Sequence, residues 1–187
     1  LGWIMNIVGS VIARAGSKRL PFKNLLPYKG IPLVRHALTK LIDSELFSKV
    51  VLSTDCELIA RTCIDLTNIE ILKRPDSLAM DDTASIPVFQ HISKNFPCDI
   101  HLNYNCNFPE CPIDVFRDAI SLTTIKGEAL SCPYAVWTQS RECLENYGDP
   151  FNITADIFEV PDLYPLDIHS QSDLLQTHRD HQIDLPW

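Results

Sequence analysis

A largely apolar stretch from Ile4 to Ile12, rich in β-branched residues, predicts a buried strand. Pro32 to Ile42 carries apolar residues at helical spacing, and Pro32 suits a first helical turn. Lys49 to Ser53 then predicts a short buried strand, Glu57 to Leu66 a second helix and Ile69 to Leu72 a third strand. Further along, Ser85 to Asn95 predicts a helix, Ile100 to Tyr104 a strand and Pro112 to Leu122 another helix. Strands and helices in alternation predict a three-layer α/β/α fold, with a mainly parallel, Rossmann-like sheet covered on both faces. From Gly127 to Val160 the periodicity weakens, and Pro133, Gly148 and Pro150 interrupt it. That region reads as β-rich and irregular.

In such sheets ligands sit at the carboxyl ends of the strands. The first strand ends in a loop that holds Arg14, Lys18, Arg19 and Lys23, with the small residues Ala15, Gly16 and Ser17 among them. Several cations and exposed backbone N–H groups on one loop are suited to a polyphosphate. The rest of the chain makes this loop a local exception. With 16 Lys and Arg against 24 Asp and Glu the net charge is −8, which argues against general nucleic-acid binding. A chain of 187 residues predicts one domain. No apolar run approaches the ~20 residues of a membrane span. No signal peptide is evident, and Met5 is a candidate start. Seven cysteines without a CxxC pair, and no zinc-ligand spacing around Cys106 and Cys111, predict reduced thiols in the cytoplasm.

The run Ala13-Arg14-Ala15-Gly16-Ser17-Lys18-Arg19-Leu20-Pro21-Phe22-Lys23-Asn24 resembles the nucleotide-binding signature of the sugar-acid cytidylyltransferases, the CMP-sialic acid and CMP-KDO synthetase group. Three later segments carry the resemblance on. Lys29 to Leu33 is similar to the family's Gly-x-Pro-Leu step, and Val50 to Asp55 to its strand ending in Ser-Thr-Asp. Arg74 to Ser85 is similar to its Arg-Pro-x-x-Leu-Ala segment, with a short acidic stretch and then Ser. A fourth, Leu166 to Leu174, resembles the late Asp-Ile-Asp motif. The guanylyltransferase-type Gly-Gly loop and the Walker P-loop are absent.

The resemblance implies transfer of CMP from CTP to the anomeric hydroxyl of a sialic-acid-like or KDO-like 2-keto sugar acid, with release of pyrophosphate. It implies that Arg14 and Lys23 neutralise the triphosphate, the guanidinium fork meeting two phosphate oxygens at once. Ala13, Ser17 and the backbone N–H groups of Ala15 and Gly16 would complete the cradle. Asn24, Arg74 and Ser85 match positions that contact the cytidine; loop capping for Asn24 and a surface salt bridge for Arg74 are the competing readings. Asp81 and Asp82 either face the substrate or cap the following helix. The implied cofactor is Mg²⁺, with Mn²⁺ as the alternative.

At the metal site the chain departs from the pattern. Asn107 stands where the KDO branch carries an aspartate, and the late motif keeps Asp167 but has His169 in place of its second aspartate. Both changes remove negative charge, and imidazole suits Mn²⁺ better than Mg²⁺. The chain therefore reads as one domain over 1–187, with a nucleotide-binding half, 1–125, and a divergent acceptor and metal half, 126–187. Trp137, Tyr134 and Tyr147 are candidates for a sugar pocket, set against the commoner role of aromatics in the core. A homodimer is implied by resemblance alone. The substitutions raise an alternative: a relative that binds nucleotide without efficient transfer and acts as a binding module.

Overall fold

The computed structural model describes residues 4–16, 22–163 and 172. Its chain order is β1 (Ile7–Ile12), the two short strands β2 (Pro27–Tyr28) and β3 (Ile31–Pro32), α1 (Leu33–Asp43), β4 (Lys49–Thr54), α2 (Glu57–Cys63), β5 (Ile69–Lys73), α3 (Ser85–Asn95), β6 (Ile100–Tyr104) and α4 (Ile113–Lys126). The second half adds β7 (Glu128–Cys132), β8 (Val136–Ser140), the short α5 (Arg141–Glu145) and β9 (Asp156–Glu159). Seven strands form one sheet in the order β5-β4-β1-β6-β8-β7-β9. Among the described strands of that sheet only β8 runs against the others: it is antiparallel to β6 and to β7, while the remaining pairs are parallel. The three-layer expectation therefore holds.

Alternation along the strands explains the layers. Val11, Val50, Leu52, Leu102 and Tyr104 point to one face, where α1, α2 and α4 cover them with Leu38, Ile59 and Phe116. On the opposite face α3 packs Val88 and Ile92 against Val8 and Val51, and Ile86 and Phe89 against Leu130 and Trp137. Gly9 sits where a Cβ would come within 2.9 Å of the Phe47 ring. A side chain there would push that ring out of the core.

Boundaries shift for local reasons. β1 starts at Ile7 rather than Ile4, because Asn6 turns its backbone N–H to Asp99 and its carbonyl to the Asp99 N–H before pairing begins. α2 stops at Cys63, and α4 runs on to Lys126 until Gly127 takes a left-handed φ of 85° that closes the helix through the Thr123 carbonyl. The expected irregular region holds three regular strands and a short helix. Of the three candidate pocket aromatics, Trp137 packs edge-on against Phe89 in the core and Tyr134 against Trp137, while Tyr147 packs partly buried at the edge of the same cluster.

A buried polar string threads the α3 face. His101 Nε2 lies 2.8 Å from Ser10 Oγ, and Ser10 donates to Asn103 Oδ1 at 3.2 Å. Asn103 Nδ2 in turn donates to the Tyr134 hydroxyl at 3.3 Å. At the other end His101 Nδ1 meets Gln139 Oε1 at 3.3 Å, and Phe89 lies 4.8 Å from the imidazole. These contacts pair the buried polar groups with one another, while Gln139 Nε2 is left without a partner among the described residues.

Candidate functional site: a cationic cleft at the strand ends

The carboxyl ends of β1, β5 and β6 deliver their following loops to a cleft of about 250 Å³. Arg14, Gly16, Lys23, Asn24, Arg74, Ser85 and Asn107 all line it. Residues spread over more than ninety positions of sequence thus meet in one place. Ala13 and Ala15 do not reach it. Ala13 is buried, and its N–H extends the sheet to the Ser53 carbonyl at 3.0 Å. The Ala15 N–H, expected to be a cradle donor, is instead given to Asp55 Oδ1 at 3.1 Å. In this structure these two N–H groups serve the loop itself, and of the small residues Gly16 lines the cleft. Ser17, Asp167 and His169 lie outside the described residues, as do Lys18 and Arg19.

The cations are placed by different means. Arg74 follows β5 and is only 4% exposed, so the surface salt bridge is ruled out. Its Nε donates to Ser53 Oγ at 3.3 Å and one terminal nitrogen to the Ser53 carbonyl at 2.9 Å. Burial pushes this guanidinium down to about 10, against the pull of Asp55, so it stays charged at neutral pH. Lys23 opens a single 3-10 turn, Lys23–Leu25, after the left-handed Phe22. Arg14 lies more openly. Its guanidinium meets Asp81 Oδ1 at 2.7 Å and the Ala79 carbonyl at 3.4 Å.

Asp81 is the residue that sequence reasoning left undecided. Ala84 precedes α3 without a side-chain cap, and Asp81 reaches across to Arg14 instead. It thereby occupies a guanidinium edge that an incoming phosphate needs. Asp81→Asn is expected to tighten triphosphate binding about threefold, since a partly exposed ion pair is worth roughly 0.2–1 kcal/mol. Titration calorimetry with CTP checks this; weaker binding would show that the pair helps the ligand rather than competes with it.

Asn24 is buried with both ends of its amide in use: Nδ2 donates to the Arg14 carbonyl at 3.2 Å, and Oδ1 accepts from Cys106 Sγ at 3.0 Å. The geometry thus contains the loop-capping role. Ser85, the first residue of α3, lies beside the Tyr134 hydroxyl, which burial pushes up to about 12 and keeps protonated. The polar string through Ser10 and His101 therefore ends at the cleft wall. Asn107 is presented by a tightly tied loop. Its N–H donates to Asn105 Oδ1 at 3.1 Å, and the Tyr104 hydroxyl donates to the Phe108 carbonyl at 2.5 Å. The Lys40 ammonium donates to the carbonyls of Pro109 and Cys111. Asn107 Oδ1 itself is buried and has no partner among the described residues.

Among the described residues no three His, Cys, Asp or Glu side chains come together as a metal site. The unpartnered Asn107 oxygen is a hard donor of the kind Mg²⁺ and Mn²⁺ accept, but it brings no charge. The described cleft thus fits a divalent ion carried mainly by the ligand's own phosphate oxygens.

A parallel sheet with a cationic cleft at its strand ends is the arrangement of the nucleotide-binding α/β proteins. More narrowly, the cytidylyltransferase family model matches residues 8–145, and the chain belongs to that family. N-acylneuraminate cytidylyltransferase A of Danio rerio is 28% identical over 127 residues, which cover 65% of this chain and 28% of that protein. The chain therefore spans little more than a quarter of this relative's length. Among solved structures, a CMP:2-keto-3-deoxy-manno-octonic acid synthetase complexed with CTP superposes with a TM-score of 0.78 at 15% identity, over 93% of this chain and 97% of that one. A Mycobacterium tuberculosis H37Rv protein in complex with manganese does so with a TM-score of 0.68 at 17% identity, over 94% of this chain and 100% of its own. At these identities the structural likeness speaks for the fold alone. No described helix is long and apolar enough to cross a membrane.

Proposed function

We propose that the chain transfers CMP from CTP to the anomeric hydroxyl of a 2-keto sugar acid, sialic-acid-like or KDO-like. The observation that carries the reading is the convergence of Arg14, Lys23 and Arg74 on one cleft in a member of the cytidylyltransferase family. The hydroxyl oxygen forms a bond to the α-phosphorus, the α–β bridging bond breaks, and pyrophosphate leaves with the electron pair as the hydroxyl proton is released. Such a transfer depends on positioning and on stabilising charge across the phosphoryl groups. Arg14 and Lys23 bind the triphosphate oxygens. Arg74, held flat by Ser53, keeps a buried positive charge against the nucleotide. Asn24 and Ser85 face the nucleoside, where an amide and a hydroxyl offer both donor and acceptor capacity. A divalent ion, Mg²⁺ or Mn²⁺, supplies further neutralisation of the phosphates when bound; Asn107 Oδ1 and, beyond the described residues, Asp167 and His169 are its proposed ligands.

Pyrophosphate release from CTP with Mg²⁺ or Mn²⁺, across a panel of 2-keto sugar acids, tests the proposal and identifies the acceptor. Preference for GTP or UTP over CTP would remove the cytidine assignment. The neutral Asn107 favours one second reading, a nucleotide-binding relative with weak transfer. Under it CTP binds, the panel is silent, and Asn107→Asp together with His169→Asp raises turnover sharply. Should those changes lower an existing turnover, the natural site is adapted to its present ligands.

A further inference from the structure

The Ser-Thr-Asp end of β4 belongs to the sequence resemblance, yet nothing in the proposed chemistry uses its aspartate. Its surroundings show what it does. Ser53 holds Arg74, and the Thr54 carbonyl accepts the Arg74 backbone N–H at 2.8 Å. Asp55, one step further, accepts the Ala15 N–H. The Asn24 amide donates to the Arg14 carbonyl. That carbonyl and that N–H are the two polar atoms of a single peptide unit. Holding both fixes the plane between Arg14 and Ala15, and with it the direction in which the Arg14 side chain leaves the backbone.

The Asn24 amide is itself kept in one orientation. Cys106 is 4% exposed, and its Sγ donates to Asn24 Oδ1 at 3.0 Å. A thiol proton facing the amide sets Oδ1 toward the sulfur and leaves Nδ2 for the Arg14 carbonyl. The Phe22 N–H, given to the Ala15 carbonyl at 3.4 Å, closes the loop from the far side.

We infer that Asp55 and Cys106 are positioning residues: Asp55 directly, and Cys106 through Asn24, clamp the Arg14–Ala15 peptide and so aim Arg14 into the cleft. The inference rests on the reading of that cleft as a triphosphate site. Asp55 acts from outside the lining of the cleft, whereas Cys106 also forms part of its wall. Asp55 also opposes the lowering of Arg74 by burial, which gives its charge a second use.

Four variants of the chain test it, with hydrogen exchange of the Ala15 amide measured without nucleotide and CTP affinity measured by calorimetry. Asp55→Ala should speed Ala15 exchange at least tenfold and weaken CTP binding about tenfold. Asp55→Asn keeps an acceptor oxygen and should stay within about threefold of the parent in both. Cys106→Ala should weaken CTP about threefold, and Cys106→Ser should restore parental affinity, a rescue that loss of packing would not give. Unchanged Ala15 exchange in Asp55→Ala overturns the clamp whatever the nucleotide does. Faster exchange with parental CTP affinity overturns its link to Arg14. A parent chain that binds no CTP overturns the reading of the cleft instead, and the exchange result then decides the clamp alone.

Discussion

Arg14→Ala is expected to weaken CTP binding about a hundredfold, with the fold left intact. A charge-assisted contact to phosphate is worth roughly 1.5–3 kcal/mol, and a two-pronged guanidinium contact lies at the upper end. About 3 kcal/mol converts to the hundredfold change. The side chain is partly exposed and takes no part in the core, so its loss removes ligand binding rather than packing. Lys23→Ala is expected to follow in the same direction with a smaller loss, because an ammonium offers a point charge instead of a planar fork. For the same reason Arg14→Lys should recover only part of the affinity. Calorimetry with CTP, paired with a thermal melt of each variant, reads both properties. Parental affinity in Arg14→Ala would remove the triphosphate from this cleft.

The second large effect is on stability in acid. His101 is 1% exposed, and burial pushes its imidazole from the ordinary 6.5 down to about 4, with Gln139 offsetting part of the shift. The unfolded chain therefore takes up this proton before the folded one does. Above about pH 6.5 the folded state keeps the full benefit; as pH falls from there toward 4 the benefit is lost. A gap of this size corresponds to about 3 kcal/mol, a large share of the 5–15 kcal/mol that holds a typical domain together. His36 and His91 are also lowered, chiefly by burial, and act in the same direction. Urea unfolding of the parent and of His101→Gln at pH 7, 5.5 and 4 isolates the buried imidazole. The parent should lose about 3 kcal/mol more than the variant across that range, and parallel losses would place the acid sensitivity elsewhere.

Much of this molecule is legible in its residues because local and global preferences agree. Ser85 to Asn95 is a helix with the limits its periodicity predicts, and Ile100 to Tyr104 a strand with the limits its alternation predicts. The basic loop identifies the cleft because four cations on one turn have few structural uses. Illegible features share a cause: a side chain whose partner lies far away in sequence. The alternation of Ile100, His101, Leu102, Asn103 and Tyr104 suits a strand with one wet face. Instead α3 covers that face, and His101 and Asn103 are satisfied by Ser10, Gln139 and Tyr134. Asp81 and Asp55 were invisible for the same reason, since their partners Arg14 and Ala15 lie 67 and 40 positions away. Between Gly127 and Val160, prolines and glycines mask three short strands, two of which owe their burial to the sheet they join.

The reversed strand β8 has a consequence for dissecting the protein. It lies between β6 and β7, so the first half of the chain ends its sheet on a strand that needs a neighbour supplied by the second half. All five residues of β6 are buried. Severed after Lys126, that strand would present an open row of N–H and C=O groups along an apolar margin, a template for pairing with other molecules. A chimera that borrows the cationic cleft therefore has to carry the chain past Ser140, and the splice belongs where the hairpin has already returned.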